Sequence, residues 1–250
     1  MADWIDVGAL TPALNAFFAE SRSEMSRFGN TVNQTFEAFV VAQMIAWFKA
    51  RPEWTVEIIN PLNASAEPEF RLKFSTRGRP EGYSYVRCTS TSGEVVQIRH
   101  QLRVATRHHR ASDRPAANVC LDVAVIKDAD LSGLGTNDYV DNASLITFGE
   151  AKHMSAFAEL VANFLGLVHE LQPERLKRVR MKLWRSRQKE YPSPFLFVSG
   201  HLFYTAQGIT NTITRRKFDL DVFTKSNLLQ PTLPLPTRPA PSKPKRRRPP

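Results

Sequence analysis

The chain lacks the features that would place it quickly. Its 250 residues hold two cysteines, Cys88 and Cys120, each within a strand-like run. That is too few for a disulfide framework and points to a reducing, intracellular setting. There is no paired Cys-x-x-Cys, phosphate-binding glycine loop, Ser-His-Asp order or internal repeat. Those absences remove the zinc ribbon, the nucleotide-binding P-loop, the serine hydrolase and the solenoid as direct readings. No apolar run approaches the roughly 18 to 20 residues needed to span a bilayer, and acids stand where a signal peptide would be basic. No membrane partner is expected.

Acid is missing from one end. Of the net +10 charge, +6 lies in residues 231–250, which contain no Asp or Glu, so the rest of the chain is mildly basic at +4. The same stretch, PTLPLPTRPAPSKPKRRRPP, contains eight prolines and cannot pack a core. It reads as a disordered tail, 230–250, suited to a nuclear address, a nucleic-acid tether or an acidic partner.

The remaining composition, 42% hydrophobic and 23% charged overall, is that of a folded protein, and the length suits one domain with insertions. Thr11-Pro12 is a helix start, giving an N-terminal helical segment, 1–30. A second helix is expected from Asn33 to Ala50, its stripe made of Val40, Val41, Met44, Ile45 and Phe48 with Glu37 at the head. That acid either sits in a solvated first turn or is directed into a site. Residues 54 to 106 read as strands WTVEII, EFRLKFS, YSYVRC and EVVQIRHQLRVAT. In the polar loop that follows, His108 and His109 lack other ligands at a defined spacing and read as surface residues. Asp113 adds nothing to them.

Two short apolar runs organise the chain: NVCLDVAVIKD (118–128) and SLITFGEAKHM (144–154). Asp122 interrupts the first, Glu150 and Lys152 the second, where a buried strand should carry no charge. Alternation puts Glu150 and Lys152 on one face, with Ala151 opposite. If the strands pair, Asp122 joins them in a cluster of two carboxylates and one amine. Such a cluster suits Mg²⁺, which is held by one or two carboxylates plus substrate phosphate oxygens. Asp141 competes with Asp122 for the first ligand position, but an acid in YVDNAS costs nothing to solvate. Asp128, Asp130 and Asp138 lack the spacing of a calcium loop, so 127–144 reads as a solvated hairpin.

A helix should follow at once, with Phe157, Leu160, Val161, Phe164, Leu165, Val168 and Leu171 on one face, ending before Pro173. The next segment is densely basic, with Arg175, Lys177, Arg178, Arg180, Lys182, Arg185, Arg187 and Lys189 against Glu174 and Glu190. It suits a phosphate backbone; the plainer alternative is a solvated helix. SPFLFVSG (193–200) reads as a buried strand, HLFYTAQGITNTIT as a helix, and DLDVFT (219–224) as an edge strand.

Asp122 followed by Glu150-Ala151-Lys152, each at the end of an apolar strand, resembles the PD-(D/E)XK nuclease superfamily. Glu37 at the opening of the helix from Asn33 is similar to the first-helix glutamate of Holliday-junction resolvases and related restriction enzymes. The resemblance covers about residues 30 to 225. It implies an α/β restriction-endonuclease-like core within 31–229: a central mixed sheet flanked by helices, here with an added β-rich segment. It also implies Asp122 and Glu150 as metal ligands, Lys152 as the catalytic lysine, Glu37 as an auxiliary acid, and Mg²⁺ or Mn²⁺ as cofactor. The expected function is hydrolysis of DNA phosphodiester bonds in restriction, phage defence or repair, compatible with a homodimer or an activating protein partner. Leu121 stands in place of the motif's proline, and 27 residues separate Asp122 from Glu150. Those departures motivate the alternative, a silent nucleic-acid-binding or scaffold module with the same fold.

Overall fold

The computed structural model describes residues 32–178 and 190–224. The expected helix at Thr11 and the basic tail lie outside those residues, as does most of the basic segment. The fold is α/β, with a seven-stranded mixed sheet in the order β1-β2-β3-β4-β5-β6-β7. Strands β1 (Trp54–Ile59), β2 (Tyr85–Ser90), β3 (Val95–Ala105), β4 (Asn118–Lys127) and β5 (Leu145–Lys152) form an antiparallel meander. β6 (Phe195–Val198) and β7 (Asp221–Thr224) add in parallel. Parallel neighbours require crossovers. Accordingly α2 (Ala158–Leu171) joins β5 to β6, and α3 (Tyr204–Arg216) joins β6 to β7.

Alternation of apolar residues along the strands builds two cores, one on each face. Helix α1 (Val32–Lys49) covers one, packing Val40, Met44, Trp47 and Phe48 against Val86, Cys88, Ile98, Val123, Val125, Phe195 and Phe197. Helices α2 and α3 cover the other with Val161, Phe164, Val168, Leu171, Ala206 and Ile213, against Leu121, Ala124, Ile126, Phe148, Leu196 and Val198. Each large side chain withdrawn from water here contributes about 2 kcal/mol. Strand β6 is buried on both faces, as its continuous apolar run requires. Among the described residues, no helix is long and apolar enough to cross a membrane.

Three sequence expectations change. EFRLKFS is not a strand: its backbone pairs with Ser84 through Arg71, and Lys73 donates to the Gln101 carbonyl at 2.7 Å. The segment runs irregularly across the sheet, with Leu72 and Lys73 both buried. Residues 127–144 are not wholly solvated, because Leu131 and Val140 join the core beneath α2. Phe157 lies ahead of α2 rather than on its inner face, and is half exposed.

Two close approaches fix the ends of the parallel strands. A Cβ on Gly149 would stand 2.2 Å from the Phe195 ring, and one on Gly200 would stand 2.8 Å from the Ser155 backbone. Only glycine permits either contact.

Candidate active site

The sheet opens between β4 and β5. Their last pair beside Asp122 is Val123 with Gly149. Beyond it β4 continues along β3 to Asn118, while β5 continues along β6 to Lys152. Asp122 lies at the fork. Its Oδ2 accepts the Ala151 N–H at 2.9 Å and the Lys152 ammonium at 2.7 Å. Lys152 also meets Glu150 Oε2 at 2.9 Å, so the expected same-face pair is present and joined to Asp122.

A second irregularity brings in α1. Ile98 faces the α1 core, whereas Leu102 and Val104 face the α2 core, so the alternation of β3 inverts between them. The inversion falls at Gln101, whose φ of 51° lies in the left-handed region. In β4 the same inversion separates Leu121 from Val123, on either side of Asp122. As a result the adjacent residues His100 and Gln101 both reach Glu37 Oε2, at 3.1 and 3.0 Å. Gln101 also donates to Asp122 Oδ1 at 3.0 Å. Glu37 is thus in the second turn of α1, directed inward and linked through one amide to the fork.

The electrostatics follow from burial. Burial and neighbouring Asp122 push the Glu150 carboxyl up to about 7, against the pull of Lys152. Burial alone would lower Lys152, but Glu150 and Asp122 together hold its ammonium above the ordinary lysine range. Burial likewise opposes ionisation of Glu37, yet hydrogen bonds from His100 and Gln101, with the charges of His100 and Lys152, hold it below the ordinary glutamate value. Glu150 Oε1 is buried without a partner among the described residues. A buried carboxylate oxygen in that state costs about 1–3 kcal/mol or more.

The motif residues alone do not point to Gln101 or His100. Their signal is present: Gln97, Arg99, Gln101 and Arg103 alternate as a polar face, and His100 breaks the phase. Asp141 takes no part. Its side chain accepts the Ala143 N–H and caps the short turn Asn142–Ser144. His109 packs against Tyr139, its Nε2 2.6 Å from the hydroxyl, and is structural rather than a surface residue. Of the basic set, Arg175 is engaged by Asp219 and the Ile146 carbonyl, while Lys177 and Arg178 are exposed. Arg180, Lys182, Arg185, Arg187 and Lys189 lie outside the described residues.

An apolar cavity of about 90 Å³ between α1 and the first three strands includes His100 in its wall, but none of Asp122, Glu150 or Lys152. It is not the site. Among the described residues, no group of three or more His, Cys, Asp or Glu side chains is disposed to hold a metal ion. Two carboxylates suit a cation that takes its other ligands from water and substrate, as Mg²⁺ does, and the unpartnered Glu150 Oε1 would be one of the two protein contacts. No protein-family model, curated protein or solved structure matches the chain.

Proposed function

We propose that the chain is a divalent-metal-dependent nuclease with a restriction-endonuclease-like core, acting on DNA phosphodiester bonds. The observation that carries this reading is the opening of the sheet at Asp122 and Glu150, with Lys152 bonded to both. A fork in a sheet offers a substrate an approach to strand-end side chains without dismantling the core. It is also where the PD-(D/E)XK resemblance would put the three residues.

Asp122 and Glu150 would hold Mg²⁺ or Mn²⁺, which supplies electrostatic stabilisation of charge on the phosphate. The Ala151 N–H and Gln101 amide orient Asp122, leaving its position little freedom. Gln101 in turn is held by Glu37 and by the Lys73 bond to its carbonyl. Lys152, about a third exposed, is the group able to meet solvent and substrate together. Its ammonium orients the attacking water and stabilises negative charge on the phosphate oxygens. Lys177 and Arg178 would begin the phosphate-tracking surface.

One observation favours a silent binding module instead. Lys152 already satisfies one oxygen of each carboxylate, an arrangement stable without a metal. Cleavage of supercoiled plasmid and single-stranded DNA with Mg²⁺ or Mn²⁺, beside a chelator, separates the two readings. Metal-dependent cutting lost in both Asp122→Ala and Lys152→Ala supports the nuclease. Salt-sensitive DNA binding without cutting in either metal supports the silent module.

A further inference from the structure

The exposed apolar surface is concentrated at one place. Among the described residues the exposed large hydrophobic side chains are Leu62, Met154, Phe157, Phe203 and Tyr204, and all but Leu62 lie just past the ends of β5 and β6. Tyr204 is 93% exposed and Phe157 50%. Phe157 and Phe203 stack on each other with centroids 4.6 Å apart and planes at 23°, and His201 meets the edge of Phe203 at 4.7 Å. Four such side chains thus meet water on two short chain segments. Burying them would have stabilised the fold by about 1.5–3 kcal/mol for each large side chain.

The patch is continuous with the fork. The Lys152 carbonyl accepts N–H groups from Met154, at 2.9 Å, and Ser199, at 3.1 Å; Met154 in turn accepts from Gly200 at 3.2 Å. Ala156 donates to His201 at 2.9 Å and accepts from Phe203 at 3.0 Å. The rings are therefore carried on the two chain segments that leave the site. Both crossover helices also begin here. Phe157 and Phe203 stand at the N-cap positions of α2 and α3, where a Ser, Thr or Asp would ordinarily bond the first turn, and no side chain caps either helix. First-turn N–H groups left in this way can donate to phosphate oxygens.

Flat aromatic faces beside phosphate-accepting backbone are what an unpaired nucleotide strand requires, because every base has a face to stack and every step carries a phosphate. A paired duplex keeps its base faces internal and gains nothing from such rings. We propose that Phe157, Phe203 and Tyr204 form a stacking platform for unpaired bases, so that the substrate entering the fork is single-stranded DNA or the single-stranded part of an overhang, flap or gap. The inference rests on the nuclease reading and names its substrate class.

The test is fluorescence anisotropy with the full chain in chelator, using a labelled single strand, a blunt duplex and the same duplex with an overhang. The expected result is tighter binding of the single strand and the overhang than of the blunt duplex. Tyr204→Ala, and Phe157→Leu with Phe203→Leu, should each weaken single-strand and overhang binding about tenfold or more, leaving the blunt duplex within about twofold. Tyr204→Trp should retain binding. Tyr204 is so exposed that its two variants decide the matter even if the double leucine variant folds poorly.

The platform is overturned if Tyr204→Ala binds single strands like the wild type, if leucine serves as well as phenylalanine, or if duplex and single strand weaken equally. Conversion of a dimer to a monomer in Tyr204→Ala, with unchanged single-strand affinity, would assign the patch to self-association. Metal-dependent cutting and duplex binding that persist without single-strand preference would remove the platform and leave the nuclease standing. Absence of both cutting and DNA binding would remove the two together.

Discussion

Ala151 donates its backbone N–H to Asp122 Oδ2 at 2.9 Å, so a side-chain carboxylate takes the place in the β5 ladder that a β4 carbonyl would hold in an unbroken sheet. The interaction ties the opening of the sheet to the charge of one residue. Asp122→Asn keeps the size and an acceptor oxygen but loses the charge shared with Lys152. Cleavage should fall by about a thousandfold or more, from loss of several kcal/mol of transition-state stabilisation, while the melting temperature moves by only a few degrees. Plasmid nicking rates beside thermal unfolding check both parts.

Lys152 separates two buried carboxylates, with Asp122 Oδ2 at 2.7 Å and Glu150 Oε2 at 2.9 Å. Lys152→Met removes the cation and leaves them facing each other. In chelator at pH 8 the variant should be about 3 kcal/mol less stable by urea unfolding, the usual cost of stripping one partner from a buried ion pair. Adding Glu150→Gln should return most of that loss. No recovery in the double variant would mean that the charges are not coupled as the distances imply.

Stability without metal should depend on pH through Glu150. Its folded carboxyl is raised to about 7 from an ordinary 4.5, so between those values the folded state keeps a proton that the unfolded state has released. The contribution is complete below about 4.5 and is lost as pH rises through 7, on the order of 3 kcal/mol at most. Urea unfolding in chelator from pH 5 to 8 should therefore show falling stability for the wild type. Glu150→Gln should flatten the slope, and an unchanged slope would assign it elsewhere.

Glu37 holds the imidazole of His100 and the amide of Gln101, and Gln101 holds Asp122. Glu37→Gln should reduce cleavage about tenfold to a hundredfold, since the outer partners of a metal ligand typically contribute on that scale. The fold should survive, because α1 is held by Val40, Met44, Trp47 and Phe48. A variant as active as the wild type would restrict Glu37 to a packing role.

Much of this arrangement was legible in residues whose type contradicted their surroundings. An acid inside VCLDVAVI and an acid–lysine pair inside LITFGEAK can be read against burial alone, and the structure brings all three within hydrogen-bond reach. The helices α1 and α2 followed from apolar spacing, with Pro173 stopping α2, whereas α3 was open to a helical reading only despite its glycine and β-branched residues. The inversion of β3 at Gln101 was not legible, because a φ of 51° on a glutamine has no marker of the kind glycine gives. Nor was the fate of EFRLKFS, which alternates like a strand but runs irregularly, with Phe74 against His100 and Lys73 bonded to Gln101. Phe157 fitted the helical period and still lies outside the core, since the helix starts one residue later.

The contact between Gly149 and Phe195 has a consequence for how this sequence can drift. The Phe195 ring occupies the space in which any side chain at 149 would have to stand, one residue before Glu150 and on the neighbouring strand. The two positions are therefore free to change only as a pair, with a smaller residue at 195 accompanying a larger one at 149. Evolutionary variation should spare them individually and admit them jointly, and that linked signature would identify distant kin of this chain even where the charged residues beside it have been replaced.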